Sequence, residues 1–367
     1  MNAKMNNRLL SLDVLRGLTV AGMIVVNNGA GEPFIPLEHA EWNGMTPCDL
    51  VFPFFLFMVG VSMAFSLGKF TQPATSNGPQ PSKTDAIKKV LSRTLKLIVI
   101  GLTLNVLTPL LKGSPDILAN LRFWGILQRI AVCYCITSFI VLYVKPKYFR
   151  KIIIALLTIY GVILLTGNGY ANDETNLAAI IDRALFGQSH LYAKAPIDPE
   201  GLLGSISSVA HTLIGVIVGF HIKQKEELSM RLTRIFTLAA SIAIIGYLLS
   251  YGLPLNKRVW SPSYVLVTCG IAASLLGVFT MVIDIQKKQD WCHPFQWFGM
   301  NAISLFVASA LLARFFSLWK IPGTLSQTFL SWGCTEQWAS LLYALSFLAV
   351  NTLLAWAMYK RKIFIKL

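Results

Sequence analysis

Charge is scarce in this sequence. Only 13% of its 367 residues are charged, where a soluble domain carries about 25%. Hydrophobic residues make up 54%, and the mean hydropathy is +0.59. So few charges exclude an ordinary soluble enzyme. Acidic residues are scarcest, with 17 Asp and Glu against 32 Lys and Arg and a formal charge of +15. The basic residues fall in short clusters between long apolar runs, which suits the inner surface of a membrane and argues against nucleic acid as a partner. Six cysteines are scattered, with Cys133, Cys135 and Cys269 inside apolar runs. There is no CxxC pair and no Cys/His ligand set, so neither a disulfide framework nor a metal site is indicated. Cys48 and Cys334 both fall near expected outer loops, which leaves one bridge open.

What the sequence has in abundance is apolar runs of about 17 to 25 residues, the length a helix needs to cross hydrocarbon. Ten fall near 12–29, 48–68, 86–110, 122–144, 149–166, 204–222, 229–251, 262–285, 297–318 and 336–360. The expected fold is therefore all-α: a polytopic integral membrane protein of about ten transmembrane helices, with 1–367 forming a single transmembrane domain. Asp13 and Arg16 interrupt the first run and no small-residue cleavage site follows it, so it is expected to be retained as a membrane helix. One set of alternate loops holds twenty basic residues, Lys4, Arg8, Lys225 and Lys366 among them, and the opposite set holds seven, including Lys112. Both termini are then expected on the cytoplasmic side. An inner loop near 69–85 has the composition of a linker. An outer stretch near 167–203 ends in Asp198-Pro199-Glu200-Gly201, a turn signal before a helix. No clear internal repeat is visible, which argues against an inverted-repeat transporter.

Ionisable groups inside such runs are unfavourable by a few kcal/mol each, so each is a functional candidate. At 100° per residue, Asp13, Arg16 and Asn27 lie within an arc of about 60° on the first helix, whereas Asn28 is rotated away by about 100°. The plainer reading of Asp13 and Arg16 is mutual neutralisation at i,i+3. After this helix comes His39 beside Glu38, Glu41 and Trp42, with Asp49 at the mouth of the second run. An imidazole there titrates near neutral pH, which makes His39 the best general-base candidate, although a lone loop histidine is often only solvated. His211 reads better as a helix-packing donor. Gln128, Arg129 and Asn301 are further polar positions within runs. Arg129, some seven residues into its run, needs an anionic partner, and Asp49 at similar depth is a candidate. Asn256, Lys257, Trp260 and Ser263 place polar, cationic and aromatic groups before the eighth run, where the Trp reads equally as an interfacial anchor. Together these positions suggest a polar column through the membrane.

At these residues the sequence becomes recognisable. Leu12-Asp13-Val14-Leu15-Arg16-Gly17, Val26-Asn27, His39-Ala40-Glu41-Trp42-Asn43-Gly44 and Asp49-Leu50-Val51-Phe52-Pro53 resemble the heparan-α-glucosaminide N-acetyltransferase family and its bacterial homologues. The likeness continues through Gly125-Ile126-Leu127-Gln128-Arg129, Asp198-Pro199-Glu200-Gly201, Asn256-Lys257, Trp260-Ser261-Pro262-Ser263-Tyr264 and Gly299-Met300-Asn301-Ala302. Each motif alone is weak, but the ordered set is specific. The resemblance implies a transmembrane acetyltransferase of a bacterial inner membrane that takes an acetyl group from cytosolic acetyl-CoA to the amine of a glucosamine-type sugar outside. It implies His39 as the catalytic residue and Asn27 as its partner. The sequence begins without that family's large lumenal extension, which leaves the acceptor open.

The residue chemistry is compatible with acyl transfer. His39 serves as base or transient acetyl carrier, and an Asn27 amide N–H faces the developing oxyanion. Asp49 or Glu38 orients the imidazole. Arg16, Arg129 and Lys257 are candidates for the phosphates or pantetheine of CoA, and Asp13, Asn43, Gln128, Asn256, Trp260, Ser263 and Asn301 complete the candidate substrate-binding set. No metal is required. An O-acyltransferase of a cell-envelope glycan and a secondary transporter using the same column are the alternatives. The aromatic-rich last two runs leave room for a homodimer face.

Overall fold

In a hydrocarbon solvent every backbone N–H and C=O must find its partner within the protein, and a helix does this within one segment. The apolar runs obey. The computed structural model describes residues 9–70, 82–111, 113, 116–224 and 226–365, and among them are helices but no strands. Lys4, Arg8, Lys112, Lys225, Lys366 and most of the linker near 69–85 lie outside the described residues.

In chain order the helices are α1 (Leu10–Val26), α2 (Val51–Leu67), α3 (Lys83–Leu111), α4 (Ile126–Tyr143), α5 (Phe149–Thr166), α6 (Leu177–Phe186), α7 (Ser205–Lys223), α8 (Leu228–Leu249), α9 (Pro262–Phe279), α10 (His293–Met300), α11 (Ala302–Leu318), α12 (Ile321–Ser331) and α13 (Glu336–Lys360). Every one of the ten apolar runs contains a helix, and the protein is a polytopic, all-helical membrane protein. Among the described residues eight helices are long and apolar enough to cross a membrane. The ninth run is not one straight rod: Asp290–Met300 and Ala302–Leu318 meet at a bend of 77°, because Asn301 leaves helical geometry at φ −125°, ψ 34°. Helix α1 has 17 residues, about 25 Å at 1.5 Å per residue, shorter than the ~30 Å hydrocarbon core. The short helices α6, α10 and α12 are too brief to register as spanning runs.

The chain forms two compact units. The first comprises Met1–His39, Thr46–Phe55 and Ser274–Leu367, and the second Ala40–Met45 and Leu56–Ala273. In the first, α1 packs on α10, α11 and α13. The α1–α10 contact is backbone to backbone. A Cβ at Gly17 would sit 1.7 Å from the Phe295 carbonyl oxygen, and one at Gly299 would sit 1.8 Å from that of Asp13. In the second unit α7 is central, packing on α4, α5 and α8. Its apolar window is 78% buried against 17% for α3, and its Ser205, Ser207, Ser208, Gly215 and Gly219 are the small residues that let membrane helices approach closely. A Cβ at Gly215 would lie 2.2 Å from the Phe57 carbonyl oxygen of α2.

These contacts predict that Gly17→Ala or Gly299→Ala forces α1 and α10 apart. The expected cost is about 1–3 kcal/mol or more, the range for overpacking, read as a lower thermal midpoint of the purified protein in detergent. Gly252→Ala, where a Cβ meets nothing within 4 Å, is the control and should leave the midpoint nearly unchanged.

Candidate functional site

Beyond α1 the first unit builds its polar centre from two turns. The short turn Ile35–Leu37 leads into Glu38 and His39, and Phe34 is held edge-on against Trp338 at 5.2 Å. Thr46 then opens a capping box over the turn Pro47–Leu50. The Asp49 carboxylate accepts at Oδ2 from the Thr46 N–H and hydroxyl, each at 3.1 Å. Its Oδ1 lies 2.8 Å from His39 Nδ1. The carboxylate side chain is 1% exposed and the imidazole 51%, so a buried anion grips one nitrogen of a ring that reaches solvent. Such a bond places the ring proton on Nδ1 and the lone pair on Nε2, the tautomer a general base requires. Cys48 Sγ stands 3.1 Å from the same Nδ1. No disulfide joins Cys48 to Cys334, so the bridge left open by the sequence does not form.

The polar face of α1 divides into parts with different tasks. Asp13 and Arg16 are paired at 3.1 Å, and Arg16 also donates to the Gly299 carbonyl at 3.3 Å. That is the mutual neutralisation offered as the plainer reading. Asn27 caps α1 with its side chain exposed, while Asn28 returns its amide to the Ile24 carbonyl at 2.7 Å. Asn301 bonds its amide within the protein: Nδ2 donates to the Ile363 carbonyl at 2.9 Å and Oδ1 accepts from the Ile365 N–H at 3.0 Å. It fastens the end of the chain.

In the second unit, Ala40–Met45 is pinned to the connection between α8 and α9. Asn43 Oδ1 accepts from Asn256 Nδ2 at 3.1 Å, the Gly44 N–H donates to Leu255 at 2.7 Å, and Trp42 Nε1 donates to Tyr170 at 2.7 Å. Asn256 Oδ1 accepts from the Val259 N–H at 3.1 Å, and Ser263 Oγ donates to the Leu253 carbonyl at 2.5 Å. The motif is thus a self-bonded corner, with Lys257 partly exposed beside it. Trp260 adopts φ +53° there and is 1% exposed, so it is a core residue rather than an interfacial anchor.

Arg129 does not lie seven residues deep in its helix, because α4 begins at Ile126. Its guanidinium sits 5.1 Å from the Trp260 ring centre and donates from Nη2 to the Gly201 carbonyl at 2.8 Å. It is fully buried, with Nε and Nη1 lacking any partner among the described residues. Asp49, its expected partner, belongs to the first unit, where it bonds to His39 and Thr46. Gln128 is buried and packs on Gly101, where a Cβ would come within 2.7 Å of its Nε2.

Two features went unread in the sequence. Arg122 donates to Asp198 from Nε at 3.1 Å and from Nη2 at 2.5 Å, and also to Glu200 at 2.5 Å. Burial alone would lower its pKa, but Glu200 and Asp198 raise it above the ordinary arginine value. Two carboxylates in one four-residue turn were the signal that a cation must answer them. Asp182 on α6 is also buried. Its Oδ1 accepts from the Leu202 N–H at 3.0 Å, and Oδ2 has no partner among the described residues.

Comparison with known proteins bears on the same residues. The family model described as heparan-α-glucosaminide N-acetyltransferase, catalytic, matches residues 8–189. Proteins named heparan-α-glucosaminide N-acetyltransferase are similar along nearly the whole chain. The mouse protein is 28% identical over 98% of this chain and 61% of its own length, and the human protein 27% identical over 98% and 60%. The chain is thus similar to this acetyltransferase family. It spans about 60% of the length of these curated relatives. The matched stretch contains Asp13, Arg16, Asn27, His39, Asn43, Asp49, Gln128 and Arg129, whereas Asn256, Lys257, Trp260, Ser263 and Asn301 lie beyond it.

Burial raises the Asp182 pKa from 3.8 to about 6, with the Leu202 N–H and Arg129 opposing the rise and Asp198 adding to it. A carboxyl that binds its proton more tightly when folded contributes stability that is complete below the unfolded value near 4 and lost as pH rises through about 6. The wild type should therefore lose thermal stability between pH 4 and pH 7 by an increment absent from Asp182→Asn. Parallel pH dependence of the two unfolding midpoints would contradict this assignment.

Proposed function

We propose that this chain is a membrane-embedded acetyltransferase that moves an acetyl group from acetyl-CoA on the cytoplasmic side to the amine of a glucosamine-type sugar on the outer side. Its place is the inner membrane of a bacterium, with both termini cytoplasmic. The observation that carries this reading is the bond between half-exposed His39 and buried Asp49, within the stretch that resembles the family's catalytic region. The family resemblance supplies the reaction class, and the pair supplies the chemistry.

In the reaction, His39 Nε2 takes a proton from the acceptor's ammonium group, or from the amine as it attacks the thioester carbonyl. A C–N bond forms, the C–S bond breaks, and the CoA thiolate leaves to take up a proton. Asp49 keeps the Nδ1–H in place and balances the imidazolium formed, without itself becoming protonated. The Asn27 amide N–H donates to the oxyanion of the tetrahedral intermediate, a contribution often of about 3 kcal/mol in other enzymes.

The test is CoA release by the purified, reconstituted protein from acetyl-CoA, with glucosamine and with a matched hydroxyl sugar lacking the amine. We expect amine-dependent release. His39→Ala should abolish it while acetyl-CoA binding is retained, and Asp49→Asn should lower kcat by roughly 10²–10⁴-fold, as loss of the orienting carboxylate does in other triads. Undiminished turnover by His39→Ala would remove His39 from the chemistry. Equal transfer to the hydroxyl sugar would replace the N-acetyl reading with O-acylation.

A further inference from the structure

The first unit contains a cavity of about 220 Å³ where α1 ends. Asn27 and Gly29 line it on one side, and Ser340, Leu341 and Ala344 of α13 on the other. No charged side chain lines it, so it offers nothing to the diphosphate of a nucleotide, which calls for Arg, Lys or a row of N–H donors. It is smaller than the roughly 300–1,000 Å³ of pockets that enclose drug-sized ligands, and so suits a single ring rather than an adenosine moiety.

Two polar groups address this space. Ser340 is 1% exposed, and its Oγ accepts from the Ala30 N–H at 3.2 Å. On the same helix Ser346 and Thr352 return their protons to the Leu342 and Leu348 carbonyls, each at 2.8 Å. Ser340 makes no such bond. Among the described residues nothing accepts its proton, and a buried donor of this kind calls for an acceptor. Across the cavity the Asn27 amide has no hydrogen bond among the described residues, and it offers both a donor and an acceptor. The turn between them is held on both faces, because Ser326 Oγ also donates to the Ala30 carbonyl at 3.2 Å. Gly29 permits the approach, since a Cβ there would lie 3.0 Å from Ser340 Oγ. A hydroxyl and an amide on the lining of one cavity, with Leu341 and Ala344 for the C–H surface, form a site for a neutral polyhydroxyl ring.

We propose that this cavity is the acceptor subsite, taking the pyranose ring of the amino sugar, and that Ser340 is a specificity-determining residue whose hydroxyl donates to a sugar oxygen. The proposal rests on the acetyltransferase reading for its kinetics but not for its binding test. Ser340 and Ala344 both lie outside residues 8–189, the stretch matched by the family model.

Steady-state kinetics of the wild type, Ser340→Ala, Ser340→Thr and Ala344→Leu test it. Loss of one neutral hydrogen bond should raise the glucosamine KM of Ser340→Ala by about tenfold while the acetyl-CoA KM stays as it was, and Ser340→Thr should restore it. Ala344→Leu, which fills the cavity, should raise the glucosamine KM further. A rise in the acetyl-CoA KM instead, or no change in either KM, overturns the proposal. If the wild type transfers no acetyl group, the reading above fails on its own. Direct calorimetric binding of glucosamine then decides: binding lost in Ala344→Leu supports the subsite, and binding equal in both proteins overturns it.

Discussion

A carboxylate removed from water has to have its charge answered by hydrogen bonds, and Asp49 shows how little the sequence needs to achieve this. Thr46 supplies a backbone N–H and a hydroxyl to one oxygen, and His39 supplies the ring nitrogen to the other. Had the carboxylate been solvated, water would compete for Oδ1 and the imidazole would lose its fixed orientation. Because it is buried, the bond to His39 is strengthened by its low-dielectric setting and holds the ring in place, with Cys48 Sγ 3.8 Å from Nε2. The acid–base chemistry proposed for this protein depends on that one contact. The capping box and the turn Pro47–Leu50 are what bring it about locally.

Much of the helical architecture was legible because hydrocarbon enforces it. A run of the right length and composition has only one backbone solution, and all ten runs contain a helix. What escaped were features set by contacts distant in sequence. The bend at Asn301 accompanies amide bonds to Ile363 and Ile365, and no local pattern around residue 301 announces them. The start of α4 was placed too early because Phe123 and Trp124 extend the apolar run ahead of the helix they precede. The connection that holds them is tied instead by Arg122 to Asp198 and Glu200.

The candidate site divides along the same line. The proximity of Asp49 to His39 had a local signature: Thr46-Pro47-Cys48-Asp49 is a capping-box pattern with proline in the first turn. The sequence also placed Asn27 on one face of the first helix by angle alone, and the geometry adds the reason it differs from Asn28, whose amide is bonded back to its own helix. Ser340 and Asp182 had no such signature. A serine among apolar residues of a long helix usually returns its proton to the preceding turn, and only the position of Ala30, three hundred residues earlier, shows that this one does otherwise.

The first unit also shows how a membrane protein without much polar scaffolding can fix the polar end of a helix, as the proposed acyl transfer would require. The backbones of α1 and α10 touch at Gly17 and Gly299, where neither residue has a side chain to hold them apart, so α1 cannot shift or rotate there without a clash. Asn27 lies ten residues further along the same helix, about 15 Å, and a helix is stiff over that length. The polar end of α1 is therefore positioned by an apolar, backbone-level contact far from it, while Ser340 and Ser326 brace the turn that follows. Rigidity at one end and two hydroxyl contacts at the other leave the intervening backbone little freedom, and in the proposed mechanism that restraint sets the position from which the Asn27 side chain acts.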